Sequence, residues 1–394
     1  MQNQNDFQKK PAKWRYIIPA VIPLMIIAAL VYIYITQEEP KPDPDSEIVI
    51  REAAALSLYG HPEPNSLTNE NLAKIIEITI NGDTYYSISH RTGKKFIALN
   101  VGELRDIELL RKFTNLKRLS LRYINLPEND IPKWMKVLAK FGIYDLNEKL
   151  SIDLTPLENL SKLETLDLRS ALFKNLKPLA GLTNLKNLYL SDTVVSNIEP
   201  LRGLIKLQRL SLSKTRVNSL EPLRNLTNLQ ELNVESTRVT NLEPVKGLVR
   251  MKYLHLIDTQ VSNLEPIKGM AQLETLLLNC TQVSDLEPIR NLTNMYRLDI
   301  SGTNVTNIEP IKDLKNLRYL TLVVTSVSDL EPIRGLSSLQ ILQIGYTPVS
   351  DLEPIKESNL GYIYMKNCLN VTSEQINDLK NAKPYLKFSE DAID

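Results

Sequence analysis

The sequence predicts a solenoid of stacked coils, α/β in class with a parallel sheet along one side, preceded by one transmembrane helix. Three observations carry this. Ten prolines (Pro156, Pro178, Pro200, Pro222, Pro244, Pro266, Pro288, Pro310, Pro332 and Pro354) stand 22 residues apart. A fixed apolar frame surrounds them, clearest in LQRLSLSKTRVNSLEPLRNLTN from Leu207 to Asn228. The run from Tyr16 to Thr36 contains no charged residue.

That uncharged run comes first in the chain. Its 21 residues at roughly 1.5 Å rise reach about 31 Å, the thickness of a bilayer core. Trp14, Tyr16, Tyr32 and Tyr34 sit at its two ends, where amphipathic rings favour the interface. Pro19 and Pro23 suit a transmembrane helix better than a soluble one. Lys9, Lys10, Lys13 and Arg15 precede the run, whereas Glu38, Glu39, Asp43 and Asp45 follow it with only Lys41 among them. Basic flanks stay cytoplasmic, so residues 1–15 are expected inside and everything after residue 36 on the extracytoplasmic side, in a periplasm or at a bacterial cell surface. A cleaved signal peptide is the rival reading. The apolar core is too long for one and IYITQEE offers no small-x-small cleavage site, so a retained anchor is expected.

Residues 37–46 (QEEPKPDPDS) alternate proline with charge and form a semi-rigid spacer. Residues 47–93 are expected to cap the first coil, with LTNENLAKIIEITI reading as a helical turn capped by Thr68 that leads into a strand. Coils then occupy 94–368, beginning near 94, 116, 138, 163, 185, 207, 229, 251, 273, 295, 317, 339 and 360, about thirteen in all; the step from 138 is three residues longer than the others and the last step one shorter. Residues 369–394 form the second cap, a helix starting near Thr372 or Ser373 with Ile376 and Leu379 turned onto the last coil. In the irregular stretch from Asn125 to Gly142, Ile131–Phe141 reads as an amphipathic helix in place of the usual outer turn, with Trp134 and Met135 expected to pack on the core and a docking site as the alternative.

The spacing explains one coil. In L-x-L, alternate residues of a strand point inward while their neighbours point outward. The valine, the leucine before Glu-Pro and the two apolar positions after it point inward from the rest of the coil. Proline presets φ and lacks an N–H, which suits the opening of a short helical turn. One coil cannot bury its own edges; stacking makes a continuous core.

The frame L-x-x-L-x-L-x-x-T-x-V-x-x-L-E-P resembles the 22-residue leucine-rich repeats of the internalin-like class over about 275 residues. The resemblance implies a right-handed horseshoe with its parallel sheet on the concave face and a role in protein recognition. One position departs from that class, whose inward asparagine is replaced by Thr193, Thr215, Thr237, Thr259, Thr281, Thr303, Thr325 and Thr347. Buried hydroxyls need partners, so a threonine ladder bonded to loop backbone is expected. Gly102, Ile124, Leu146 and Ala171 hold the same position earlier and cannot form it.

Composition and motifs narrow the function. Basic residues number 47 and acidic 46, a balance that argues against nucleic acid as a partner. Two cysteines exclude a disulfide framework; Cys280 and Cys368 lie four coils apart, roughly 19 Å at about 4.8 Å per coil, too far for a disulfide. Cys368 falls on the threonine position and reads as a buried thiol, Cys280 as a residue near the rim. His61, His90 and His255 have no neighbours at metal-ligand spacing, and no nucleophile elbow, phosphate loop or zinc motif occurs. No catalytic, cofactor or metal residues are expected, and the chain does not read as an enzyme. The eight glutamates from Glu199 to Glu353 and the eight basic residues from Arg202 to Lys356 read as offsetting columns on the outer turns.

Recognition is expected on the outward strand positions, which the frame leaves free. Early coils present small or polar groups there (Thr165, Asp167, Arg169, Asn187, Ser191, Ser211, Asn233 and Glu235). Later coils present Tyr253, His255, Ile257, Leu277, Tyr319, Val323, Ile341, Tyr362 and Tyr364, the expected partner-binding set. The expected partner is a protein; a structural role in an envelope complex and glycan binding are the alternatives.

Overall fold

The computed structural model describes residues 75–81, 85–90, 93–97, 107–122 and 151–389. The expected transmembrane helix 16–36, the linker 37–46, Thr68 and the amphipathic stretch 131–141 lie outside the described residues. Among the described residues no helix is long and apolar enough to cross a membrane.

One sheet of fifteen strands runs the length of the described chain. Its body is a parallel ladder of three-residue strands: β5 (Thr165–Asp167), β6 (Asn187–Tyr189), β7 (Arg209–Ser211), β8 (Glu231–Asn233), β9 (Tyr253–His255), β10 (Thr275–Leu277), β11 (Arg297–Asp299), β12 (Tyr319–Thr321), β13 (Ile341–Gln343) and β14 (Tyr362–Tyr364). Each strand pairs in register with the next, so residues 22 apart stand side by side. Between β13 and β14 the offset is 21, which absorbs the short last step without breaking the ladder.

The upstream end departs from the expected coil register. The longer strand β4 (Arg118–Arg122) pairs directly with β5 on one side and with β1 (Ile75–Asn81) on the other. The coil expected near 138 therefore adds no strand between β4 and β5. The strand that extends the ladder upstream lies in the expected cap, not near 94. Residues Gly93–Ile97 (β3) instead form the far edge, pairing antiparallel with β2 (Tyr85–His90), which pairs antiparallel with β1. Apolar spacing marks which residues can face a core, but strand neighbours are chosen by the whole stack, and at the irregular end the two part company.

The core is a single column of inward residues. In the coil from Leu207, the side chains of Leu207, Leu210, Leu212, Val217, Leu220 and Leu223 are all at most 1% exposed. The sequence frame and the buried set coincide coil after coil through Ile355. Opposite the sheet, each proline is the second residue of a short 3-10 turn, as in Glu221–Leu223 and Glu287–Ile289. The side chain two residues before the glutamate accepts a bond from its amide, as Asn241 does from Glu243 at 2.9 Å, Asp285 from Glu287 at 2.8 Å and Ser219 from Glu221 at 3.3 Å. This supplies an acceptor for an N–H that the helical turn leaves unsatisfied. The glutamate then pairs with the basic residue three places on, at 2.7 Å for Arg224–Glu221 and 2.6 Å for Arg334–Glu331. The two charged columns are thus closed within each coil.

Two further ladders repeat along the stack. Each threonine hydroxyl from Thr193 to Thr347 donates to the carbonyl three residues before it, at 2.6–2.7 Å. The ladder therefore closes the turn of its own coil. On the outer turns, asparagine amides reach back to the previous coil, as Asn228 does to the Ile205 carbonyl at 2.9 Å and Asn316 to that of Thr293, also at 2.9 Å.

The far end is capped by helix α1 (Ser373–Ala382). Thr372 and Gln375 form a reciprocal capping box, and Leu379 is fully buried against the last coil with Ile376 beside it half-buried. The strand after it, β15 (Lys387–Ser389), pairs with β14 and extends the sheet, which the sequence pattern did not indicate.

Candidate functional site

The parallel register sorts the open face of the sheet into columns. The first runs Thr165, Asn187, Arg209, Glu231, Tyr253, Thr275, Arg297, Tyr319, Ile341, Tyr362. The second, two residues on, runs Asp167, Tyr189, Ser211, Asn233, His255, Leu277, Asp299, Thr321, Gln343, Tyr364. Inward leucines alternate with both.

In the early coils the charges on this face are consumed by one another. Asp167 is 4% exposed and accepts from Arg122 Nε at 2.7 Å and Arg169 Nη2 at 2.8 Å. Burial pushes its carboxyl up, but the hydrogen bonds of Arg169 and Arg122 outweigh burial and hold it below the ordinary carboxylate value. Arg169 also lies over the Tyr189 ring at 5.2 Å. Arg209 pairs with Glu231 at 3.2 Å and Lys186 with Glu164 at 2.8 Å.

The late coils differ. Tyr253 is 37% exposed, and its hydroxyl donates to Glu274 at 3.0 Å, which also receives Lys252 at 2.9 Å. Tyr319, Ile341, Leu277, Ile257 and Val323 are half-buried on the same face. His255 is half-buried beside them, and burial pushes its imidazole below the ordinary histidine value. Tyr296, one residue before β11, is exposed, tilts against Tyr319 with ring centroids 5.1 Å apart, and carries Arg318 at 5.6 Å from its ring. Asp299 is buried and accepts from Asn279 at 2.7 Å and from the Ser301 hydroxyl at 2.7 Å.

One member of the expected set is misplaced. Tyr364 is 4% exposed, so its ring belongs to the packed end of the sheet and not to a presented surface. The reason is Gly345 on the preceding coil, where a Cβ would collide with that ring. Tyr362, in the same strand, is half-buried with its hydroxyl turned in and unpartnered among the described residues.

The structure also shows surface residues that the hydropathy pattern passed over. Three residues after the end of each strand from β5 to β14 comes a residue with positive φ: Ser170, Asp192, Lys214, Ser236, Asp258, Cys280, Gly302, Val324, Tyr346 and Asn367. From Ser170 to Tyr346 this turn aims the amide at the next coil, as Val324 N donates to Gly345 O at 3.0 Å and Cys280 N to Ser301 O at 2.8 Å. Small, polar or glycine residues suit this left-handed position; a β-branched valine does not. Val324 nevertheless holds it at φ +56 with 58% of its surface exposed, and Tyr346 follows at φ +60 with 45% exposed. The sequence could have disclosed them by alignment of the coils, since Gly302 and Asn367 occupy the same column.

Residues 205–247 match the model for leucine-rich repeats in two copies. The described solenoid is a leucine-rich-repeat fold. Among solved structures, an internalin, InlF, from Listeria monocytogenes is similar with a TM-score of 0.66 at 22% identity, over 90% of this chain and 99% of its own. A leucine-rich-repeat protein of Leptospira interrogans gives 0.57 at 19% identity, over 90% and 100%. A plant peptide hormone receptor, RGFR1, solved in complex with RGF2, gives 0.50 at 14% identity, over 72% and 56%. At these identities the likeness is one of fold. No curated protein sequence matches the chain. Leucine-rich repeats commonly mediate protein–protein contact, and among the described residues no three His, Cys, Asp or Glu side chains gather to hold a metal.

Proposed function

We propose that the chain is a non-catalytic recognition protein whose late leucine-rich repeats bind a protein partner across the concave, strand-bearing face. The observation that carries this is the contrast along a single face. Early coils pair their charges internally, whereas Tyr253, Tyr296 and Tyr319 stand out from the later coils with Ile257, Leu277, Val323 and Ile341 between them. Val324 and Tyr346 extend that surface onto the rim at a backbone cost that folding alone does not reward. Exposed aromatic groups gathered on one face are the usual material of binding hot spots. A plant peptide hormone receptor of similar fold was solved in complex with RGF2, which supports recognition of a polypeptide by such a fold.

The same reading places residues 16–36 in a membrane as a retained anchor, with residues 1–15 cytoplasmic and the repeats outside. It rests on the uncharged run and on the reversal of charge across it.

The test is crosslinking and mass spectrometry on intact cells to capture the partner, followed by affinity measurements. Tyr253→Ala and Tyr319→Ala should each weaken binding, by about thirtyfold where the residue is a hot spot worth ~2 kcal/mol. Asn187→Ala and Arg209→Ala, in the same column of the early coils, should change it little. Loss of binding in the early-coil variants with retention in the tyrosine variants would move the site to the other end.

A further inference from the structure

The late face carries a second regularity. Tyr296-Arg297 on one coil is followed on the next by Arg318-Tyr319, the same two residue types in reversed order. Register sets Arg297 beside Tyr319, and the backbone amide of Arg318 bonds to the Tyr296 carbonyl at 2.9 Å. The four side chains therefore form a square with arginines on one diagonal and tyrosines on the other. The tyrosines contact each other across it at 5.1 Å, and Arg318 leans on Tyr296 at 5.6 Å.

The electrostatics of this square are unlike those elsewhere on the face. Arg122 and Arg169 are consumed by Asp167, Arg209 by Glu231, and Lys252 by Glu274. Neither Arg297 nor Arg318 has an ion-pair partner among the described residues, and both are exposed. Two carboxylates beside the square in the register of the sheet are already engaged. Glu274 is held by Lys252 and Tyr253, and Asp299 is buried against Asn279 and Ser301. Two planar guanidiniums with no internal anion, that of Arg318 backed by the Tyr296 ring, are poised for carboxylates, which they can bind bidentately.

We propose that this square reads carboxylate side chains of an extended acidic segment in the protein partner. The inference rests on the late-face reading above and specifies the chemistry of its ligand. An extended peptide fits better than a small anion or a sugar chain. The arginines lie on an open sheet face and not in an enclosed pocket. They are flanked by Leu277 and Ile341 on the coils to either side and by Val323 on the coil of Arg318, which take apolar side chains and offer little to a hydrated polyanion. In a strand-like peptide alternate residues share a face at about 6.6–6.8 Å, so acidic residues would meet the square while apolar neighbours met the flanks.

The purified full chain is titrated with fluorescent Glu-Val-Glu-Val-Glu-Val, with the Gln-Val hexapeptide and with dextran sulfate. The expected result is binding of the Glu peptide, at least tenfold weaker binding of the Gln peptide, and at least a tenfold loss for Arg297→Gln/Arg318→Gln. The outer-turn double variant Arg202→Gln/Arg224→Gln removes the same charge and should bind the Glu peptide as the parent does. Failure of the Glu peptide to bind, or equal loss in both double variants, would overturn the proposal. Dextran sulfate bound through Arg297 and Arg318 in place of the peptide would overturn it in favour of an anionic glycan. The captured partner separates the two levels: a partner crosslinked to the late face yet indifferent to Arg297→Gln/Arg318→Gln sinks this inference alone, whereas one crosslinked elsewhere sinks the late-face reading.

Discussion

The thiol of Cys368 donates to the carbonyl of Ile344 at 3.0 Å and lies 3.8 Å from the Thr347 hydroxyl, on the coil before its own. Thr347 donates to the same Ile344 carbonyl at 2.6 Å. The last rung of the threonine ladder is thus a cysteine that serves its neighbour's turn. Burial pushes the Cys368 thiol up, while Cys280 stands exposed on the left-handed column. A thiolate reagent at neutral pH is therefore expected to label one cysteine in the folded protein and two after denaturation. Peptide mapping should place the first label on Cys280; native labelling of Cys368 would contradict the packing of the last coil.

Strand phase makes a stability test. Leu256 is fully buried, so Leu256→Ala should leave a cavity costing about 2–5 kcal/mol. Ser213 faces outward and is half-buried, so Ser213→Ala should stay within about 0.5 kcal/mol. Denaturant titrations of the two variants decide it, and equal losses would mean the alternation is misassigned.

Much of this was legible from the repeat itself. The inward set, the proline turns, the paired outer charges and the threonine ladder all follow from one coil's local spacing, and repetition multiplies the signal. What escaped depends on neighbours. Tyr364 looked presented because its strand position is outward; it is buried because Gly345 on another coil vacates the space. The apolar residues near 94 and 138 fit the frame, yet β4 chose β1 and β5 as partners. The left-handed column is invisible to hydropathy, since backbone conformation has no apolar period. At the site, the outward late-coil residues were readable, but the pairing state of each arginine required coordinates.

Asp167 provides a pH test. Its folded carboxyl value lies below the unfolded one, so its contribution is present above about pH 4, the ordinary aspartate range, and fades as pH falls through the lower folded value. Acid titration of stability from pH 5 downward should be steeper in the parent than in Asp167→Asn. At neutral pH the variant should lose about 1–2 kcal/mol, a discounted figure because both guanidiniums are partly solvated. Identical acid slopes would show that the Arg122–Asp167–Arg169 cluster does not couple to folding.

Topology is tested separately from recognition. With the basic flank before residue 16 and the acidic flank after residue 36, protease added outside the cytoplasmic membrane is expected to digest the repeats and spare residues 1–15. Repeats fully protected by that membrane would overturn the orientation.

Val324 gives the test that joins stability to function. A valine at φ +56 carries a left-handed penalty of roughly 1–2 kcal/mol, and its exposure returns little burial energy. Other coils place Gly302 and Asn367 in the same column, so the turn itself accepts smaller or polar residues. Val324→Asn should therefore raise stability by about 0.5–1 kcal/mol, and Tyr346→Asn should act in the same direction. If these residues are kept for contact with the partner, the double variant should be more stable and bind less tightly. That combination is diagnostic, because a packing role would lower both quantities together. Hydrogen exchange across 319–347 and affinity for the crosslinked partner measure the two effects. A destabilised double variant would show that Val324 and Tyr346 support the rim, and unchanged affinity would remove them from the binding surface.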